Sequence, residues 1–324
     1  MKNLLKSFAV LALVISIVSC DDTNDTNANS KTIATLAAET ADLSILVQAL
    51  SRAGLVATFN ASGDFTVFAP TDAAFQTFLT ANNFASIDDV PLPLLTEVLK
   101  NHVLAESFKS TELSTDYYKT LAKGSASSTN TLSMFINMTS GAVINGGPTN
   151  GGANVDVNRA NIQASNGIIH IVDRVIGLPG VINHAKSNPN FSSLVSTLTS
   201  PGQPDFVGTL SGTGPFTIFA PTNAAFTALT PELVTLGVPL NPSLLTTVLR
   251  YHVVSPANVL SSSLTATPMT VTPLAGGTFS VSTLGGAKIT DGSNRVTNII
   301  AVDVQATNGV IHAIDRVLLP NLAN

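Results

Sequence analysis

The chain has 324 residues, enough for two domains of ordinary size; 44% of them are hydrophobic and only 11% are charged. This balance excludes an intrinsically disordered chain, because disordered sequences combine low hydrophobicity with high charge. A formal net charge of −5 offers no basic surface to neutralise phosphates, so nucleic acid is not expected as a partner. The single cysteine excludes an intramolecular disulfide and a zinc site built from several cysteines.

The first twenty residues have the pattern of a bacterial export signal. Lys2 and Lys6 give a positive start, and residues 8–18 form an apolar run that is too short to span a hydrocarbon core of ~30 Å. The run ends in Ile-Val-Ser followed by Cys20, which resembles a lipobox, where the cysteine receives a lipid and becomes the mature N-terminus. We therefore expect residues 1–19 to be a lipoprotein signal peptide and Cys20 to attach the protein to a membrane.

Residues 20–31 are polar and lack apolar periodicity, which is typical of a flexible tether. Asp21 and Asp22 directly follow the lipidated position. Acidic residues there resemble a signal for surface export in some Gram-negative lineages and a signal for inner-membrane retention in others. The sequence leaves this choice open, and the expected location is the cell envelope, at the outer membrane or the cell surface.

An internal repeat organises the rest of the chain. The segment FTVFAPTDAAF begins at Phe65 and FTIFAPTNAAF begins at Phe216, so nine of eleven positions are identical at an offset of 151 residues. A second pair, NGIIHIVDRVI from Asn166 and NGVIHAIDRVL from Asn308, repeats at an offset of 142 residues. Offsets near 150 indicate two tandem domains rather than a solenoid of short repeats.

Each copy is predicted to be an α+β domain, with boundaries at residues 32–178 and 179–324. The apolar spacing at residues 41–50 predicts an amphipathic helix, and the FTVFAP run predicts a short buried strand. A helix begins directly after that strand, where Thr71 or Asp72 in the first copy, and Thr222 or Asn223 in the second, are expected to cap exposed backbone N–H groups. The last third of each copy is rich in β-branched residues and Asn-Gly turns, which favours strands and hairpins.

Two further segments carry structural expectations. The runs IIHIVDRV and VIHAIDRV have apolar residues at both odd and even positions, which predicts interior strands covered on both faces. The turns Asn145-Gly146-Gly147 and Asn150-Gly151-Gly152 occur only in the first copy. They are interpreted either as a hairpin extension or as a loop that contacts a ligand.

The repeated segments resemble the two conserved segments of the fasciclin domain, and Tyr251-His252 lies where that family has a Tyr-His motif. The resemblance covers roughly residues 32–320. It implies a domain with two β-sheets packed as a wedge, a helical layer, and a role in extracellular adhesion. The first copy has Asn101-His102 in place of Tyr-His. The resemblance therefore implies a candidate adhesive surface at Tyr251, His252 and His102, with the tyrosine as its exposed handle. The alternative is that Tyr251 is packed inside the domain and that the ligand surface lies elsewhere.

A His-x-x-Asp pattern occurs twice, as His170 with Asp173 and as His312 with Asp315. The pattern has the residue types of a metal site or a catalytic dyad. Residues three apart on a regular strand point to opposite faces, however, so the two side chains cannot easily converge on one ion. We interpret the histidines as buried anchors bonded to the backbone, and the aspartates as carboxylates that cap or pair with the arginine that follows each.

Motifs of catalysis, nucleotide binding and calcium binding are missing from the sequence. We therefore predict no catalytic residue, no cofactor and no metal site. The expected function is surface-anchored adhesion or matrix interaction, with an extracellular protein or polysaccharide as ligand and the membrane bound through the N-terminal lipid. An alternative is a glycan-binding accessory lipoprotein in surface polysaccharide capture. That alternative requires an exposed aromatic platform, for which a chain with no tryptophan and three tyrosines has little material.

Overall fold

The computed structural model describes residues 31–322. The predicted signal peptide, Cys20 and the predicted tether up to residue 30 lie outside the described residues. Two α+β units follow one another along the chain, and each is built on its own series of hydrogen-bonded strands. The predicted fold class is therefore confirmed.

The first domain begins with helices and ends with strands. Its helices are α1 (Ile33–Glu39), α2 (Ser44–Arg52), α3 (Val56–Asn60), α4 (Asp72–Ala81) and α5 (Leu92–Asn101). Its strands are β1 (Phe65–Pro70), β2 (Val103–Leu104), β3 (Asp116–Gly124), β4 (Ser127–Asn137), β5 (Val143–Ile144), β6 (Ala153–Asn154), β7 (Ile162–Ala164) and β8 (Gly167–Val172).

The second domain repeats this order with one strand fewer. Its helices are α6 (Val181–Ser187), α7 (Ser192–Leu198), α8 (Phe206–Leu210), α9 (Asn223–Thr235) and α10 (Pro242–Tyr251). Its strands are β9 (Phe216–Pro221), β10 (Val253–Val254), β11 (Met269–Val271), β12 (Phe279–Ser282), β13 (Lys288–Thr290), β14 (Val296–Ala306) and β15 (Gly309–Ile314).

The two repeated sequence segments lie side by side in each domain. Strand β1 pairs in parallel with β8, and β9 pairs in parallel with β15, so Phe68 lies opposite His170 and Phe219 lies opposite His312. Every residue of β8 and of β15 is buried. The prediction of interior strands covered on both faces is confirmed.

Long strands divide each series into two sheets. The strand order is β6-β5-β4-β3-β2-β1-β8-β7 in the first domain and β10-β9-β15-β14-β13-β12-β11 in the second. The last part of β14 pairs only with β15, and its first residues pair with β13. The register of the β14–β15 pairing shifts between Ile299 and Ala301 and again between Ala301 and Val304, and such irregularities bend a strand.

The helices bury their apolar faces against the sheets. In the predicted helix at residues 41–50, Leu43, Leu46 and Leu50 are all buried in the core of the first domain. No single helix within residues 31–322 is long and apolar enough to cross a membrane. The helical segments 33–39 and 41–52 would together be long and apolar enough, but the chain bends by 111° between them. The buried leucines of that pair belong to the domain core.

Candidate functional site

The three residues predicted to form an adhesive surface lie inside the domains. Tyr251 is fully buried, and His252 and His102 are only 3% and 2% exposed. The ring of Tyr251 packs edge-on against Phe279 with centroids 5.6 Å apart, and its hydroxyl donates to the backbone oxygen of Thr278 at 2.6 Å. The exposed tyrosine handle is therefore wrong and the alternative of a packed Tyr251 is correct, because the ring fills the core and its hydroxyl is bonded to the backbone.

His102 and His252 join the end of a helix to the last segment of their domains. The Nδ1 of His102 donates to Val98 O at 2.7 Å, and its Nε2 accepts from Ile176 N at 2.8 Å. The equivalent bonds of His252 are 2.7 and 2.9 Å long. Burial lowers the pKa of each imidazole to about 4. Both rings are therefore neutral at physiological pH, with both nitrogens committed to the backbone.

His170 and His312 are also buried and backbone-bonded, as predicted, but through the other tautomer. The Nε2 of His170 donates to Phe108 O at 2.9 Å while its Nδ1 accepts from Asn161 N at 3.2 Å. The ring stacks on Phe68 with centroids 5.7 Å apart. His312 repeats this arrangement, with a bond of 2.8 Å from its Nε2 and a stacked ring at 5.6 Å. Burial lowers the pKa of both histidines.

The aspartates of the His-x-x-Asp pattern bind a neighbouring backbone segment. Asp173 accepts from the backbone N of Asn154 at 2.8 Å and from its Nδ2 at 2.9 Å. Asp315 makes the same two bonds to Asn298, at 2.8 and 2.6 Å. Of the two predicted roles, pairing with the following arginine is wrong, since Arg174 donates to the backbone oxygen of Asp173 and Arg316 pairs with Glu232. The bonds to backbone N–H groups agree with the capping alternative. Within residues 31–322, no group of three or more His, Cys, Asp and Glu side chains could hold a metal ion.

Asp72 and Asn223 cap a helix, as predicted, but not the helix that they begin. Asp72 Oδ1 accepts from Ile45 N at 2.8 Å, at the start of α2. Asn223 Oδ1 accepts from Ser193 N at 2.9 Å, at the start of α7. The helices α4 and α9 are capped by Thr71 and Thr222, so the threonine alternative is the correct one for these two helices. The aspartate and the asparagine thus hold two helices together through an oxygen that both side chains possess.

The domains are joined along the bent part of β14. Lys119 Nζ donates to Asp303 O at 2.7 Å, and Gln305 N donates to Ser133 Oγ at 3.0 Å. Gln305 and Ser133 are both buried, so these polar groups have exchanged water for partners in the other domain.

The turn between β3 and β4 comes still closer to the second domain. Ala126 N donates to Thr307 O at 2.8 Å. A Cβ atom on Gly124 would lie 2.5 Å from the Cα of Thr307, so only glycine permits this approach. The two domains therefore pack backbone against backbone at this point.

The Asn-Gly-Gly segment of the first copy forms a second inter-domain contact. Asn150 Nδ2 donates to Asn183 O at 2.9 Å and to Ser187 Oγ at 3.0 Å, and Asn183 Nδ2 returns a bond to Asn150 O at 3.0 Å. Asn183 and Ser187 belong to α6, the first helix of the second domain. The segment is thus a loop extension that docks onto the neighbouring domain.

His184 is a buried group that the repeat pattern did not reveal, because the first copy has Leu36 at the equivalent helix position. Its ring lies edge to face with Tyr117 of the first domain, with centroids 5.6 Å apart. Neither ring nitrogen has a partner at hydrogen-bonding geometry within the described residues. Burial lowers the pKa to about 4, the backbone of Gln305 partly opposes this, and Lys119 adds a smaller lowering. The histidine is therefore held neutral at the domain boundary.

A cleft of about 400 Å³ opens beside this contact, with walls from both domains. The first domain supplies Thr115, Asp116, Tyr117, Phe135, Asn137 and Thr139, and the second supplies Asn188, Pro189, Asn190, Phe191, Thr222, Ile300, Ala301, Val304 and Ala313. Tyr117 and Phe135 pack together with centroids 4.8 Å apart. Asn188 Nδ2 donates to the Tyr117 hydroxyl at 3.3 Å, across the domain boundary. None of these residues was predicted from the sequence to bind a ligand, because the cleft exists only where the domains meet.

Comparison with known proteins identifies relatives that match somewhat less than half of the chain and relatives that match most of it. Protein sll1483 of Synechocystis is 39% identical over 143 residues, which are 43% of this chain and 73% of the relative. The immunogenic protein MPB70 of Mycobacterium bovis is 35% identical over 144 residues, which are 42% of this chain and 66% of the relative. Human periostin is 27% identical over 273 residues, or 81% of this chain, although these are only 29% of periostin.

A solved structure and a family model cover both domains. A FAS1 domain pair from the insect cell adhesion molecule Fasciclin I is 17% identical, with a TM-score of 0.48, over 85% of this chain and 97% of that one. The model of the fasciclin domain matches twice, at residues 41–179 and 189–320, which together are well over half of the sequence. The chain therefore belongs to the fasciclin domain family.

Proposed function

We propose that this protein is a surface-anchored adhesion or matrix-interaction protein that acts by binding an extracellular ligand and not by catalysis. The observation that carries the proposal is that the repeated histidines use both of their ring nitrogens in hydrogen bonds to the backbone. Each of the four repeat-equivalent imidazoles uses both ring nitrogens on backbone groups of its own domain. A general base needs a free nitrogen within reach of a substrate proton, which none of these four offers.

The anchoring part of the proposal rests on the N-terminal sequence. Cys20 at the end of the apolar run carries the lipid, and the polar residues that follow it separate the domains from the bilayer. The protein is placed in the cell envelope, at the outer membrane or the cell surface. Membership of the fasciclin domain family supports this proposed location.

A second candidate function is capture of surface polysaccharide as a glycan-binding accessory lipoprotein. The observation that favours it is the cleft between the domains, where Tyr117 and Phe135 lie among amide and hydroxyl side chains. Aromatic rings with a few placed polar groups are the usual lining of a small-molecule site.

The two candidates are separated by an attachment experiment with cells that carry or lack the full-length protein. The cells are applied to extracellular material that has been left intact, treated with protease or oxidised with periodate. Adhesion to protein predicts that protease abolishes the difference between the strains, and capture of polysaccharide predicts that periodate does so. Equal attachment of both strains to the intact material contradicts an adhesive function.

A further inference from the structure

We infer that the cleft between the two domains is a binding site for a neutral carbohydrate chain. The inference rests on the proposed function, in that the protein acts by binding an extracellular ligand, and it assigns the place and the chemical class of that ligand.

The rim of the cleft carries polar groups that the fold itself does not use. Among the described residues, none is hydrogen-bonded to the side-chain amide of Asn190, and Asn137 uses only its Oδ1, which accepts from Thr139 N at 2.9 Å. Asp116 uses one carboxylate oxygen, which accepts from Tyr117 N at 2.7 Å. The side-chain amide of Asn190, the Nδ2 of Asn137 and one carboxylate oxygen of Asp116 are therefore available to a ligand that both donates and accepts hydrogen bonds.

The hydroxyl of Tyr117, which is one of the lining residues, adds a hydrogen-bond donor to the cleft. It accepts a bond from Asn188 Nδ2 at 3.3 Å, and no acceptor for its own hydrogen is found in residues 31–322. The pKa of this phenol is raised, mainly by burial, so the hydroxyl keeps its hydrogen throughout the physiological pH range. The hydroxyl can therefore donate this hydrogen to a hydroxyl group of a ligand in the cleft.

The charges around the cleft exclude an anionic ligand. No lysine or arginine lines it, and Asp116 is its one ionisable carboxylate. Binding of a phosphate, a sulfate or an acidic sugar would place like charges together without a cation to compensate them. The ligand class is therefore neutral.

Apolar surface lies next to these polar groups. The side chain of Ile300 is 56% exposed and contributes to the wall, as does the partly buried ring of Tyr117, whereas Phe135 is only 3% exposed and packs against Tyr117. A sugar ring presents C–H faces together with hydroxyl edges, so it matches a wall that alternates apolar and amide groups. A volume of about 400 Å³ lies within the range of small-molecule sites.

The repeat offers an internal comparison. The position of Asn190 corresponds to Asp42 in the first copy, since the segments that follow α6 and α1 align there. Asp42 is occupied by a bidentate bond from Arg159, at 2.6 and 2.7 Å. The first domain thus uses this position for its own stability, whereas the second leaves it open toward the cleft.

The site is tested by calorimetric titration of the chain from residue 21 onward with maltohexaose, cellohexaose and mannohexaose, and with tetragalacturonic acid as the anionic comparison. We expect at least one neutral hexasaccharide to bind and the acidic sugar not to bind. Tyr117→Phe and Asn190→Ala each remove one group without removing the rings, and each should weaken binding about fivefold. Asn158→Ala, an exposed asparagine far along the first domain, is the matched control and should bind as the unaltered chain does.

Three results would overturn the inference: no neutral hexasaccharide binds at millimolar concentration, the acidic sugar binds as well as the neutral ones, or the Tyr117→Phe, Asn190→Ala double variant binds normally. The double variant is also placed in the attachment experiment. If it attaches cells normally but binds no sugar, the adhesive function stands and the cleft is not the adhesive site, which overturns the assignment made here. A matched loss of sugar binding and attachment supports both.

Discussion

The rings of Tyr117 and His184 meet edge to face across the domain boundary, with centroids 5.6 Å apart. His184 is fully buried there, and Tyr117 also closes one side of the inter-domain cleft. The same two side chains therefore contribute to the packing between the domains and to the candidate site. Any change that separates them should alter both.

Acid should lower the free energy of unfolding through the protonation of His184. The pKa of His184 falls from 6.5 to about 4 on burial. A depressed histidine pKa means that the stabilisation is complete above pH 6.5 and is lost as the pH falls toward 4, because the unfolded chain then binds the proton more readily. A shift of this size corresponds to about 3 kcal/mol at most for the histidine.

The measurement is the free energy of unfolding at a series of pH values between 7 and 4. His184→Leu places at this position the residue that the first copy has at Leu36. The variant should lose less stability than the unaltered protein as the pH falls, by up to about 3 kcal/mol. His102 and His252 remain in both chains, and their pKa values of about 4 leave a common acid sensitivity. Identical pH profiles for the two chains would show that His184 does not carry the expected linkage.

Substitution of Asp72 should distinguish its cap from a charge effect. Asp72→Asn retains the oxygen that accepts from Ile45 N and should change the free energy of unfolding by less than about 0.5 kcal/mol. Asp72→Ala removes the cap and should cost about 1 kcal/mol. Urea denaturation of both variants makes the comparison, with Asn223→Asp and Asn223→Ala as the matched pair in the second domain. Equal losses for Asp72→Asn and Asp72→Ala would indicate that the negative charge matters, not the cap.

Tyr251 should be a stability residue. Tyr251→Asn copies the first domain's residue but empties a fully buried site against Phe279, so we expect a loss of about 3–5 kcal/mol. Tyr251→Phe keeps the ring and removes the hydroxyl that donates to Thr278 O, which should cost about 1–2 kcal/mol. Thermal unfolding followed by circular dichroism measures both. An unchanged melting temperature for Tyr251→Asn would contradict the buried placement.

We expect a lipid on Cys20 to attach the protein to the membrane. Cys20→Ser removes the only thiol in the chain, so the protein should either leave the membrane fraction or accumulate as an uncleaved precursor. Fractionation of cells and detection of the chain by immunoblot provide the readout. A variant that is cleaved and still requires detergent for extraction would exclude the lipid anchor.

The sequence alone determined the elements whose signals are local. The repeat with nine of eleven identical positions predicted two copies of one domain, and apolar runs of both parities predicted β8 and β15 as interior strands. The swap of Asp72 for Asn223 predicted a capping role, because only an oxygen common to both side chains is needed. Such patterns are legible in one dimension since a helix or a strand repeats its environment every few residues.

Tertiary structure decided which surfaces these elements share. The cap of Asp72 binds Ile45, 27 positions earlier, and Asn188 reaches Tyr117 over 71 positions. Tyr251 has the amphipathic side chain of a surface residue, yet the packing of Phe279 against it places it in the core. No period or spacing in the sequence encodes such contacts. They arise because two folded units bury polar and aromatic groups against each other, and the cleft at that boundary exists only once both domains are in place.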